Sequence, residues 1–211
     1  MSNSSIPAEA WLVRGGINDE MVDAFQEKEA IAMDWPDIGD LAFIASVGDF
    51  KARIFQKFLG SSPDSVRDKL KYLLWFMRLI DIGEYVVMDD KRIAEVVIGN
   101  VTSGVEYNVE LFGSKYPYIR RVRWLKRIDR KQFTTDAQQD FYSILPIEDI
   151  RSHRYEIHRW VMGRERTINI EHEKFSPYKD IGILKAYVRE LAGEKDDFFE
   201  TAFNILYRGR R

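Results

Sequence analysis

The side chains with the widest chemical repertoire lie late in the chain. His153, His158 and His172 are its three histidines, and Glu156, Glu171 and Glu173 stand near them. Read as extended strands, His158 and Glu156 share a face, as do Glu171 and Glu173. Imidazole and carboxylate form a donor set that zinc or manganese accepts, although no spacing here is diagnostic and surface residues have the same look. Asp89-Asp90-Lys91 and Asp129-Arg130-Lys131 have the acid-x-Lys composition of metal-dependent nucleases, yet they fall in an expected turn and in a basic run. No GxxxxGK[ST] loop, GxGxxG after a strand or GxSxG elbow occurs. The absence of cysteine excludes disulfides, thiolate metal ligands and a cysteine nucleophile. Binding is therefore favoured over catalysis, and no cofactor is expected. A metal-dependent nuclease with acids around Glu156, Glu171 and Glu173 and a scaffold that holds a small ligand stand as alternatives.

A second suggestive set is basic and aromatic. Between Arg120 and Lys131 the chain carries Arg120, Arg121, Arg123, Lys126, Arg127, Arg130 and Lys131 against Asp129 alone. The net charge of −2 argues against coating nucleic acid through bulk charge. A local patch is still effective, because charges are screened beyond ~10 Å in ordinary salt. As a strand, YIRRVRWL puts Ile119, Arg121 and Arg123 on one face and Tyr118, Arg120, Val122 and Trp124 on the other. Arg121 and Arg123 can then meet either water or phosphate. In the helix opened by Ser62-Pro63-Asp64, proline takes the first position, where its missing N–H costs nothing. Val66, Leu70, Leu73, Met77 and Ile80 make its apolar stripe. Trp75 lies roughly 180° from Val66 at about 100° per residue, beside Lys71 and Arg78. Either another layer covers it or it offers a stacking surface.

The elements that must position these groups follow from period and punctuation. With 45% hydrophobic and 31% charged residues, the 211-residue chain reads as soluble and globular. No apolar run approaches the ~20 residues of a membrane span, and MSNSSIPAEA lacks the design of a signal peptide. A cytoplasmic protein without a membrane partner is expected. AWLVRGG is a strand stopped at Gly15-Gly16, Asn18 caps a helix with Met21, Val22 and Phe25, and AIAMDW is a strand ended by Pro36. Asp49 caps a helix, DFKARIFQKFL. From Gly83 the period becomes two: EYVVM, a turn at Asp89-Asp90, then RIAEVVIGNV, where Gly99 and Gly104 mark a bulge or close backbone approach. VEYNVELF, YIRRVRWL and a closing FYSIL complete an antiparallel set. A soft boundary near residue 150 separates RYEIHRWVMG and ERTINIEHEKF, read as a hairpin, and two helices whose Phe198, Phe199 and Phe203 suggest homo-oligomer contacts.

Several of these blocks resemble the EVE-like domains of the PUA superfamily, as in Mrr- and McrB-type modification-dependent restriction proteins. They are WLVRGG, IAMDW, WFMRLIDIGEYVVM, IGNVTSGVEYN and YIRRVRWL, spread over about residues 10–150. The resemblance implies an α+β fold with a mixed β-barrel and flanking helices over 10–150; residues 151–211 lie outside it and read as a C-terminal αβ accessory segment. The resemblance also implies a module that takes a flipped, modified base into an aromatic pocket. Such flipping costs a few kcal/mol of unstacking that stacking and edge hydrogen bonds must offset. On that template Trp35, Trp75 and Tyr107 form the cage, Gly15 and Gly16 lend backbone hydrogen bonds, and Tyr118 stands where the family often has histidine. Arg14, Lys71, Arg78, Arg120, Arg121, Arg123 and Lys126 would hold phosphates, which position a strand without reading its sequence. Gly83-Glu84 replaces the usual Gly-Asp. The partners implied are nucleic acid, DNA ahead of RNA, and an effector nuclease or motor protein in a restriction setting.

Overall fold

The computed structural model describes residues 9–44 and 46–163. In chain order these hold β1 (Ala10–Val13), α1 (Val22–Glu27), β2 (Ala30–Ala32), α2 (Val47–Lys57), α3 (Pro63–Leu74), β3 (Tyr85–Asp90) and β4 (Glu95–Val101). Then follow β5 (Glu106–Tyr107), α4 (Val109–Phe112), β6 (Tyr118–Asp129), α5 (Thr135–Phe141), β7 (Ile147–Asp149) and α6 (Arg154–Met162). The expected strand ERTINIEHEKF, the two C-terminal helices and His172, Glu171 and Glu173 lie outside the described residues. The fold is α+β. Two compact units divide it, with 9–31, 81–104 and 120–163 in the first and 32–44, 46–80 and 105–119 in the second.

In the first unit the strands form a mixed sheet in the order β2-β6-β4-β3-β1-β7. β1 runs parallel to β3, with Trp11 opposite Val86, and β7 is antiparallel to β1, with Leu12 opposite Glu148. The β3–β4 hairpin sets Val87 against Ile98, and β4 sets Val96 against Ile128 of β6. Among the described residues no pairing joins β7 back to β2. The barrel expected from sequence is therefore an open sheet here. Leu12, Tyr85, Val87, Val96, Ile98 and Ile128 alternate onto one face, which Phe133 and the helical residues Ala137, Phe141 and Ile157 cover. Each such side chain contributes roughly 1.5–3 kcal/mol on full burial.

Four expectations fail in this unit. Asp89 and Asp90 are strand residues, because Arg130 Nε meets Asp89 at 2.7 Å and Arg92 Nε meets Asp90 at 2.8 Å. The turn comes after them, with Ala94 at φ +57°. FYSIL is not a closing strand. Thr134 accepts from the N–H of Ala137 to start α5 through Phe141, and the last strand is β7, an edge strand beyond Pro146. RYEIHRWVMG is helix rather than hairpin: Ile157, Trp160 and Val161, at helical spacing, all reach the core, and Gly163 ends the helix in the left-handed region at φ +64°. The N-cap of α1 is Met21 and not Asn18.

The second unit is mostly helical. Ser62 Oγ accepts from Ser65 N–H at 3.2 Å with Pro63 at the first helical position of α3, as the sequence implied. For α2 the cap is Ser46, whose hydroxyl accepts from Asp49 N–H at 3.1 Å. Val66, Leu70 and Leu73 are fully buried. Beyond Leu74 the chain continues as a π-helical turn, Trp75–Leu79, with Ile80 N–H donating to Trp75 O at 3.3 Å. The wider turn rotates the phase, so the buried set becomes Phe76, Leu79 and Ile80 while Met77 stays half-buried. VEYNVELF is strand only at β5, where Tyr107 pairs with Tyr118 and Glu106 with Ile119. Asn108 then caps α4, its side chain accepting from Glu110 and Leu111 N–H. No helix among the described residues is long and apolar enough to cross a membrane.

Candidate nucleic-acid interface

β6 is the longest strand, and its pleat decides what each cation can do. In the first unit Arg120 is buried and donates to Ser103 O at 3.3 Å. Arg121 is half-buried, its backbone N–H donating to Ser103 Oγ at 2.9 Å. Arg123, Lys126 and Arg127 are exposed. Lys126 Nζ donates to Trp160 O at 2.7 Å, and Arg127 bonds Glu95 and Gln26 at 3.0 Å each. The side chain of Arg123 makes no hydrogen bond or ion pair among the described residues. Gly99, opposite Trp124, stands at a register shift between β4 and β6. A Cβ there would come within 2.4 Å of Val122 Cγ1 and 2.8 Å of the Trp124 ring, so the close approach expected of this glycine is present.

Arg14 is spent on the chain itself, donating to the carbonyls of Ile144, at 3.0 Å, and Ile17. Gly15 and Gly16 are buried, and a Cβ on Gly15 would come within 2.4 Å of Val22 Cγ2. The backbone of this turn serves α1 packing, with Gly15 O accepting from Met21 N–H at 2.8 Å.

The aromatic candidates belong to the second unit. Trp35 is 3% exposed and packs edge-on against Phe58, ring centres 5.3 Å apart. Its Nε1 is buried without a hydrogen-bond partner among the described residues. Trp75 is half-buried, with Tyr72 at 6.0 Å and Lys71 Nζ 4.7 Å from its ring centre, so a cation lies over it. Arg78 is half-buried on the π turn. Tyr107 is half-buried and lies 5.8 Å from the Tyr118 ring. Its hydroxyl donates to Asp37 Oδ1 at 2.9 Å, and that of buried Tyr118 donates to Gly39 O at 2.9 Å. Burial, with the Asp37 bond second, pushes the Tyr107 phenol up to about 12. Burial raises Tyr118 as well. Both phenols stay neutral donors. The two tyrosines thus meet, while Trp35 and Trp75 have separate neighbours.

Sequence reading missed the groups beside those tyrosines. Asp37, Ile38, Gly39, Arg53, Gln56 and Lys57 line an open cleft of about 290 Å³. Two signals pointed there: the Asp-x-Gly turn at Asp37–Gly39, and the i, i+3, i+4 spacing of Arg53, Gln56 and Lys57 on α2.

Of the histidines and acids first considered for metal, the described His153, His158 and Glu156 serve the first unit instead. His158 Nδ1 lies 2.8 Å from the hydroxyl of Tyr85, and His153 Nε2 lies 2.7 Å from Asp140. Glu156 accepts from Thr134 N–H and Oγ1, both at 2.8 Å. Among the described residues no three or more of His, Cys, Asp and Glu gather as metal ligands.

The fold and these surfaces define an α+β domain with a cationic strand in one unit and, in the other, a polar cleft whose loop is held by two tyrosines. A family model described as Domain of unknown function (DUF8426) matches residues 11–143, and the chain belongs to that family. No curated protein and no solved structure matches it.

Proposed function

We propose that the chain is a nucleic-acid-binding module of the EVE/PUA-like kind, which holds DNA by its phosphates and takes up a flipped, modified base in a restriction or defence setting. The observation that carries this reading is the exposure pattern of β6. From Tyr118 to Lys126 its two exposed residues are Arg123 and Lys126, and the Arg123 guanidinium is unengaged among the described residues. A planar fork of donors held on a paired strand suits phosphate, which accepts bidentate bonds from arginine. The aromatic residues support the base-binding part: Tyr107 and Trp75 are each half-buried rather than enclosed in the core. Arg120 belongs to the interior, so the phosphate-holding set in the first unit narrows to Arg121, Arg123 and Lys126. The test is fluorescence anisotropy with DNA and RNA duplexes bearing plain, methylated or hydroxymethylated bases. Arg123→Ala is expected to weaken all of them alike and to flatten the salt slope by about one. Trp75→Ala should weaken the modified duplex more than the plain one. Unchanged binding in Arg123→Ala would remove β6 from the interface.

A further inference from the structure

We infer that the cleft in the second unit, between the Asp37–Gly39 loop and α2, is a binding site for one nucleotide: a monophosphate joined to an amino-bearing base. The inference extends the nucleic-acid reading and rests on it for the choice of a nucleotide over other small phosphates. The site itself stands on the cleft's own geometry.

The loop wall is held rigidly. Tyr107 and Gly39 N–H both donate to Asp37 Oδ1, at 2.9 and 2.8 Å, Tyr118 donates to Gly39 O at 2.9 Å, and Arg53 Nη1 donates to Ile38 O at 3.0 Å. Gly39 sits at φ +87°, and a Cβ there would lie 2.9 Å from Arg53 Nη1. The left-handed φ is what favours glycine in this loop. Donors from β5, β6 and α2 thus order a three-residue stretch before any ligand arrives, which removes part of the entropic cost of binding.

The same groups keep capacity to spare. Asp37 Oδ1 takes both local bonds, and Oδ2 receives none among the described residues. Gln56 and Lys57 make no side-chain hydrogen bond or ion pair there, and Arg53 uses Nε on Asp49 and Nη1 on Ile38, leaving Nη2. Tyrosine hydroxyls that point into the loop are already spent as donors.

Charge and size then select the ligand. Arg53 is ion-paired to Asp49, so among the described residues the unpaired cation of the cleft is Lys57, and an anion is favoured beside it and the spare Nη2 of Arg53, while a ligand that is anionic throughout would be repelled by Asp37. What fits carries a negative group at one end and an N–H donor at the other. At about 290 Å³ the cleft lies at the lower limit of ligand pockets, roughly 300–1,000 Å³, and suits one nucleotide. Phosphate on Arg53 and Lys57 leaves the base edge toward Asp37 Oδ2, which accepts from an exocyclic amine such as cytosine N4. Uracil or thymine would set a carbonyl oxygen against the carboxylate. The nucleotide can be free or part of a single strand; the chemistry is the same.

Calorimetric titration of the full chain with cytidine monophosphate, uridine monophosphate, cytidine, inorganic phosphate, free amino acids and short oligo-dC and oligo-dT tests this. Cytidine monophosphate or oligo-dC, depending on the source, should bind about tenfold or more tighter than its uracil or thymine counterpart. Lys57→Gln should bring cytidine monophosphate down toward cytidine. Asp37→Asn retains an oxygen for Gly39 and Tyr107 and should erase the cytosine preference, with thermal melts checking that both variants fold. Equal binding of the cytosine and uracil or thymine ligands, indifference to both substitutions, or tighter binding of amino acids than of nucleotides would overturn the inference. If both variants bind every ligand like the parent while Arg123→Ala still weakens duplex, the cleft site falls and the module reading stands. If cytosine preference persists with no duplex binding, the cleft site stands and the module reading falls.

Discussion

Among the described residues of the first unit, Asp89 and Arg130 form the most enclosed ion pair, their side chains 3% and 6% exposed and 2.7 Å apart. Burial outweighs Arg130 and raises the Asp89 carboxyl to about 6. Asp89 Oδ2 and Arg130 Nη2 are buried without hydrogen bonds among the described residues, which is consistent with a pair whose desolvation is only partly repaid. The sign follows from proton binding: between about pH 4 and 6 the unfolded chain has released this proton while the folded one still holds it. The stability it contributes is complete below pH 4 and is lost as pH rises through 6, by at most about 3 kcal/mol. Arg130→Met should cost about 3–5 kcal/mol at pH 7, where it strands the carboxylate, and clearly less at pH 5, where the carboxyl can stay protonated. Urea denaturation at the two pH values measures the difference. A cost independent of pH would mean that Asp89 does not titrate there. Trp35 is a second residue whose burial speaks against a simple role: Trp35→Ala should cost about 3–5 kcal/mol of stability, so any lost binding has to be judged against a melting curve.

At the scale of elements, the start of α3 was legible because Ser62-Pro63-Asp64 acts locally: a hydroxyl accepts an N–H three residues on and proline tolerates the first turn. Ser62→Ala should therefore cost about 1 kcal/mol by chemical denaturation. The far end of the same helix was not legible. A π turn inserts one extra residue, and 3.6-residue counting past Leu74 gives the wrong face for Phe76 and Met77. Period also misled at α6, whose alternating polar and apolar residues read as strand until core packing of Ile157 and Trp160 is seen. Gly99 was read correctly as a bulge or close approach, because a glycine in a β-branched strand has few other uses. Gly99→Ala should destabilise by about 1–3 kcal/mol through overpacking against Val122 and Trp124, measured by thermal or urea unfolding.

For the whole molecule, net charge and local charge point in different directions. A chain of charge −2 gains nothing from bulk attraction, so the proposed DNA binding through β6 would be a short-range matter of a few phosphates. If Arg121, Arg123 and Lys126 each hold one, log K should fall against log salt with a slope of about −3, and a slope near zero would exclude the strand as a phosphate surface. The family resemblance implied the α+β class, and residue patterns alone determined the N-cap and early stripe of the long helix, the bulge at Gly99 and the basic strand YIRRVRWL. Those depend on interactions a few residues apart, or on pleat alternation, which a single strand displays. Tertiary structure decided which cations are spent. Arg120 and Arg14 are consumed by carbonyls of distant segments, Asp89 and Asp90 become strand through arginines up to 41 residues away, and the sheet stays open. It also assembled Asp37, Arg53 and Lys57 beside Tyr107 and Tyr118. Their meeting depends on long-range hydrogen bonds, Tyr118 reaching Gly39 across 79 residues, and no local pattern in the chain encodes such a bond.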